Sequence, residues 1–182
     1  MKYLIVGDRY EADAKNYSGT YRKRVTYSEK FNDEHPVNRM FFAYLKSKDK
    51  YDLMDNLELA KEIAEIQRKF TGIEYQVIQV EVVNEYMKIN NENKFLGYDI
   101  SSGVYLSYLH GGLNICESEV GKMYPIMCLL ERYFKPTLNQ NGLFDEYKIA
   151  KFFLECIKNV NILQANFWDD PSEYEIIYLS KV

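Results

Sequence analysis

Cys116 is the residue best placed by type and position for nucleophilic chemistry. In the run Asn114-Ile115-Cys116-Glu117, Asn114 reads as a helix N-cap and Glu117 closes a capping box. Cys116 then falls in a first helical turn, where the aligned peptide dipoles lower a thiol pKa. His110, a short way upstream, is the available base. The adjacent Glu117 carboxylate opposes ionisation of the sulfur and no oxyanion device accompanies the pair, so Cys116 is expected to be structural. A strand, a glycine turn and a capped helix account for Gly97, Gly103, Gly111 and Gly112 around it. The cysteines Cys116, Cys128 and Cys156 form no C-x-x-C pair, which excludes zinc ribbons and thioredoxin-like redox motifs, and unpaired thiols suit a reducing compartment. With His35 and His110 the only histidines, a histidine-built metal centre is excluded. Asp169 and Asp170 offer carboxylates to a hard cation, but Asp-Asp-Pro-Ser is also ordinary turn chemistry. Gly7 follows the first apolar run alone, without the further glycines of a dinucleotide or phosphate loop. No cofactor and no metal are expected.

Two other groups of residues suggest specific activities. Arg9 after the first apolar run, Ser101-Ser102 after "GYDI", and Glu173-Tyr174-Glu175 before the last apolar run stand in an order that resembles ADP-ribosyltransferases. That resemblance implies NAD as substrate, with Arg9 anchoring the dinucleotide, Ser101 on a strand, and Glu173 and Glu175 forming the Glu-x-Glu pair whose last member positions the ribose. The chain departs from the pattern in reading Ile-Ser-Ser for Ser-Thr-Ser and in lacking a helical region before Arg9. The second group is Tyr17, Tyr21, Arg22, Lys23, Arg24 and Tyr27, where cations alternate with aromatic rings. Such a patch suits phosphates and stacked single-stranded bases, which would make the protein a nucleic-acid-binding accessory factor.

Charge is distributed unevenly. Residues 1–50 hold 11 Lys and Arg against 7 Asp and Glu, a net +4, and residues 51–182 hold 12 against 20, a net −8. The carboxylates that fall outside helical stripes and near aromatics are Glu85, Asp99, Asp169, Asp170 and Glu173, and these are the expected contacts to a basic partner.

The elements that must carry these residues form one α+β domain over 1–182, with a mixed or antiparallel sheet of about four to six strands packed with three main helices. Residues 2–6, 73–83, 94–101 and 173–182 alternate as strands. Residues 53–70, 117–134 and 141–160 carry helical stripes. Residues 39–47 fit a strand or a short buried helix equally, and 21–29 fit an exposed edge strand. On 117–134 the stripe Val120, Met123, Tyr124, Met127, Leu130 and Phe134 is widened by Ile126, Leu129 and Tyr133, which places this helix centrally or at an interface. On 141–160, Tyr147, Ala150, Phe153, Leu154 and Ile157 point inward, with Lys148, Lys151, Glu155 and Lys158 toward solvent. No internal repeat and no linker is apparent. No apolar run reaches the roughly 18 residues of a membrane span, and "MKYLIVGDRY" is too short in its apolar core for a secretory leader. A cytoplasmic setting is expected.

An aromatic content of 15%, with 17 tyrosines, favours a recognition surface, because tyrosine offers contact area at low entropy cost. The chain as a whole resembles small, acidic, Asn/Lys/Tyr-rich proteins of Firmicutes and their phages that inhibit a nuclease: the type II-A anti-CRISPR proteins and the immunity proteins that neutralise nuclease toxins. "FLGYDISSGVYLSYL" and "LNQNGLFDEYKIAKFFLECI" are similar to segments of such proteins. The resemblance implies a non-catalytic inhibitor in a bacterial or phage-infected cell, with a large effector protein or ribonucleoprotein, such as a Cas9-type nuclease, as partner.

Overall fold

The computed structural model describes residues 1–7, 25–50, 52–85, 93–101, 125–163 and 173–182. Among them run β1 (Lys2–Gly7), α1 (Pro36–Ser47), α2 (Leu57–Thr71), β2 (Tyr75–Val82), β3 (Lys94–Ser101), α3 (Pro125–Phe134), α4 (Tyr147–Leu163) and β4 (Glu175–Lys181). The strands make one antiparallel sheet in the order β1-β2-β4-β3. The α+β architecture expected from the pattern is the one found. A fourth helix is added, because Pro36 at the first position and the His35 ring nitrogen accepting from Val37 N at 3.3 Å start α1 ahead of the ambiguous 39–47 run.

The chain is built from two copies of a β-α-α-β unit. In the first, Asp49 N donates to Leu53 O at 2.9 Å, Asp52 N to Asp49 O at 3.1 Å, and Leu53 N to Asp49 Oδ1 at 3.0 Å. In the second, the same bonds run from Asn139 N to Leu143 O at 2.8 Å, Gly142 N to Asn139 O at 2.9 Å, and Leu143 N to Asn139 Oδ1 at 3.2 Å. Equivalent positions lie ninety apart, as Asp49 and Asn139 do. Even the left-handed residue repeats, at Asp52 (φ 64) and Gly142 (φ 71).

Each turn then closes onto an edge strand. Met54 exchanges two backbone bonds with Tyr3 of β1, both at 2.8 Å, and Phe144 exchanges two with Tyr98 of β3, at 2.8 and 3.0 Å. These two clips occupy both outer edges of the sheet, where unpaired strand groups would otherwise template association. The helices after the clips match residue by residue in burial: Ala60 with Ala150, Ile63 with Phe153, and before the clips Val37 with Met127 and Tyr44 with Phe134. The antiparallel β2–β4 pair joins the units, and the Val80–Leu179 pair lies on the pseudo-twofold.

That axis stands normal to the sheet, so both helix pairs cover one face. Alternation puts Tyr3, Ile5, Tyr75 and Val77 on the same side as Ile100, Ile176 and Tyr178. The first four pack with Ala60, Ile63 and Ala64 of α2. On the other half, Tyr147 of α4 meets Tyr98, which meets Tyr178. Phe134, Phe144 and Phe153 form an edge-to-face core with centroids 4.8 to 6.1 Å apart. Their counterparts Tyr44, Met54 and Ile63 are also buried. Each such side chain contributes roughly 1.5–3 kcal/mol by burial.

Several sequence expectations are corrected here. An internal repeat is present. The helix expected over 53–70 begins at Leu57 because Met54 is drawn into the edge clip and Asn56 caps the helix, accepting from Leu59 N at 3.0 Å. The helix expected over 141–160 begins at Tyr147 for the same reason, with Leu143 and Phe144 in the second clip. Of the helix expected over 117–134, the described part is α3, and Cys116 and His110 lie outside the described residues. Residues 25–28 form no strand: Val25 is buried, and Gln67 Nε2 donates to Thr26 O at 3.1 Å, which ties the segment to α2.

Gly97 sits at the bulge of β3, with φ 145, directly under the second clip. A Cβ there would collide with Leu143 Cβ and press on the Phe144 carbonyl oxygen at 3.0 Å. Gly97→Ala should therefore cost about 3 kcal/mol, by overpacking plus backbone strain, read as a fall in the midpoint of urea unfolding with the slope unchanged. A loss within about 0.5 kcal/mol would mean that the clip does not bear on β3 as described.

Candidate interaction surface

The sequence-derived candidates do not gather into one site. Ser101 and Glu175 are cross-strand partners at one end of the sheet. Gly7, the last described residue before Arg9, pairs with Tyr75 at the other end. From the register, nine rows separate the two positions, about 30 Å at the usual strand rise. Arg9 itself lies outside the described residues, and of the transferase constellation the register brings Ser101 and Glu175 together. Glu173 and Glu175 are exposed at the entry to β4.

The acidic candidates divide. Asp99 is only 1% exposed, with its Oδ1 accepting from Ile100 N at 2.7 Å, so it belongs to the interior and offers nothing to a partner surface. The alternation of β3 puts it on the face opposite Tyr98 and Ile100, beside Ile177, and that face of the sheet is buried as well, a fact its proximity to aromatics in the sequence did not convey. Glu85 is exposed but engaged, with Lys151 Nζ at 2.6 Å. The lysine holds the Glu85 carboxyl below the usual carboxylate range and is itself raised by it. Glu85, Glu146, Tyr147, Lys148 and Lys151 line a shallow depression of about 430 Å³. Asp169 and Asp170 lie outside the described residues, as do Tyr17, Tyr21, Arg22, Lys23 and Arg24. Tyr27, the described member of the basic-aromatic patch, donates its hydroxyl to Asp33 Oδ1 at 2.7 Å and packs edge-on against Phe41 and Phe42. The Asp33 bond, with burial, raises its pKa.

The surface that stands out was only half visible in the pattern. Leu129 and Tyr133 of α3 are 61% and 65% exposed, and Phe152 of α4 is 51% exposed. The Tyr133 and Phe152 rings lie 6.5 Å apart, and Phe152 also meets Phe134 at 5.6 Å. Half-buried Ile126, Leu130, Ile149 and Cys156 continue the apolar seam between the helices. Burial raises the Cys156 thiol pKa, which keeps it a packing residue. The widened stripe pointed to Leu129 and Tyr133. Phe152 was missed, although Phe152-Phe153 on one helix cannot both face inward.

The internal repeat supplies a control for this surface. The positions equivalent to Leu129, Tyr133 and Phe152 are Arg39, Ala43 and Glu62 in α1 and α2. The same helix pair on the same sheet thus folds with Arg39 and Glu62 at two of these positions in one half, so the architecture does not require apolar residues there in the other. The three side chains expose roughly 400 Å² together, the size at which an apolar patch marks an interaction site.

Comparison with family models, curated proteins and solved structures finds no match. Among the described residues, no group of His, Cys, Asp and Glu is arranged to hold a metal, and no helix is long and apolar enough to cross a membrane.

The depression beside the seam gives a titration test. Glu85 is depressed, so its contact with Lys151 is present above the ordinary carboxylate range and is lost as pH falls through the lowered folded pKa. Lys151→Met should move the Glu85 carboxyl titration, followed by NMR, upward toward the usual value. No movement would show that the ion pair does not persist in solution.

Proposed function

We propose that the protein acts by binding another protein, and that its target is a nucleic-acid-processing effector whose engagement with nucleic acid it blocks. The observation that supports this reading is the exposed seam of Leu129, Tyr133 and Phe152, present in one repeat and replaced by Arg39, Ala43 and Glu62 in the other. Aromatic anchors of this kind supply most of the affinity in protein interfaces. The net −8 of residues 51–182 suits a basic effector, where it would raise the encounter rate more than the affinity. With Asp99 inside and Glu85 paired, anchoring falls to the seam, and the exposed Glu173 and Glu175 are left a steering role.

The test uses a guide-loaded Cas9-type nuclease, with and without bound DNA, and the protein as wild type and as the Tyr133→Arg/Phe152→Glu double variant. Losing two anchors should weaken association by about 100-fold or more, since each is expected to contribute about 2 kcal/mol. The unfolding midpoint of the double variant should stay within about 0.5 kcal/mol of wild type. DNA bound beforehand should reduce wild-type association. A nuclease that neither binds the protein nor is slowed by it argues against this effector class. Binding indifferent to both substitutions argues against the seam.

A further inference from the structure

We propose that the occupant of the seam is an amphipathic α-helix of the partner, apolar on one side and acidic along its flanks. This rests on the reading of the seam as a protein-binding surface and adds what it binds. Three observations lead to it. The first concerns the other common way of capturing a segment, adding a strand to a sheet edge. The Tyr3–Met54 and Tyr98–Phe144 bonds already occupy outward backbone groups near the start of β1 and at the middle of β3. A partner segment is thereby directed to the helices.

The second observation is the spacing of the exposed side chains. Leu129 and Tyr133 are one turn apart on α3, and Ile149, Phe152 and Cys156 are one turn apart on α4. Two such rows form ridges of one-turn period, the spacing that a third helix matches with its own one-turn ridges. An extended chain would present its side chains at a period of two and would match neither row.

The third is charge. Arg132, beside Tyr133, and Lys148, one turn before Phe152, are exposed and form no ion pair among the described residues. They flank the seam on separate helices, so acidic residues on both sides of a seated helix would meet them. Glu155, an exposed carboxylate near Phe152 that also bears on Lys151, sets a limit: the acidic flank is expected to be interrupted there. The rim is thus locally cationic although the surrounding chain carries net −8. A partner helix chosen by this rim differs in sign from the basic channel that the whole-protein charge would attract, and the two can belong to one effector.

The experiment uses the full chain and four synthetic peptides of equal length: a Leu-faced helix with Glu flanks, the same helix with Lys flanks, the Glu-flanked sequence with two central prolines, and a proline-rich PxxP sequence. Binding is followed by fluorescence anisotropy, and contacts are mapped from backbone NMR shifts. The Glu-flanked helix should bind with at least tenfold preference over the other three and shift resonances of Leu129, Tyr133 and Phe152. Arg132→Glu/Lys148→Glu should reverse the Glu-over-Lys preference, and Tyr133→Arg/Phe152→Glu should remove binding. Stronger binding of the PxxP or proline-broken peptide overturns the proposal. So does equal binding of both flank charges, or no binding by the Glu-flanked helix. Concentration-dependent dimerisation in sedimentation velocity, abolished by Tyr133→Arg, also overturns it, because a second copy would then fill the seam. If effector capture needs Tyr133 and Phe152 but the Glu-flanked helix does not compete, the helical partner is wrong and the binding surface stands. If capture is indifferent to both residues, the underlying reading fails first.

Discussion

The backbone exchange between a turn and an edge strand, Tyr3 with Met54 and Tyr98 with Phe144, governs the rest of the molecule. Each clip ends one helix, starts the next and fixes the angle at which the pair returns to the sheet. It also sets where the core side chain of the turn lands, Met54 in one half and Phe144 in the other, both fully buried. Buried backbone donors and acceptors require partners, and these turns find theirs on the edge strands. The same bonds that position the helices engage one residue on each outer strand of the described sheet, Tyr3 of β1 and Tyr98 of β3. The central β2–β4 ladder then needs only to join two finished units about the Val80–Leu179 pair.

Given two equivalent scaffolds on one sheet, differences between them separate what folding needs from what it leaves free. Most core positions differ in size but stay apolar: Tyr44 and Phe134, Met54 and Phe144, Ile63 and Phe153. Gln67, buried at the position of Ile157, instead bonds Thr26 O through its amide. The seam positions differ in kind, with Arg39, Ala43 and Glu62 against Leu129, Tyr133 and Phe152. The charged set folds on the same frame, so the architecture does not require the apolar set, although Tyr133 and Phe152 do rest against Phe134. An exposed apolar cluster of this kind is a candidate interaction site.

Much of this was legible in the sequence. The strand over 94–101 was placed to the residue, and β1, β2 and β4 within two residues or so, because short β-branched and aromatic runs bounded by polar segments are a strong local signal. The widened stripe at Ile126, Leu129 and Tyr133 marked α3 as central or interfacial. The repeat was not legible. Only scattered identities survive between the halves, such as Leu53 and Leu143, Asp55 and Asp145, Ala60 and Ala150, and the spacing changes from ninety in the helices to ninety-nine between Gln79 and Tyr178, so no single period emerges. The helix starts were misplaced at Leu53 and Asn141 because a long-range backbone bond to another strand overrode a continuous apolar pattern. Asp99 was misread for a related reason: the face of β3 away from the helices is buried too, and that burial comes from the assembled sheet and not from the local sequence.

The most direct measurement exchanges the seam of one repeat for that of the other. The triple variant Leu129→Arg, Tyr133→Ala, Phe152→Glu should unfold in urea at a midpoint equal to or above wild type, with the same slope and the same amide protection at Met54 and Phe144. That result would establish the seam as surplus to folding and free for a partner. A midpoint lowered by several kcal/mol, or loss of protection at Phe144, would show instead that Leu129, Tyr133 and Phe152 are part of the core, and the account of this face as an interaction surface would be contradicted.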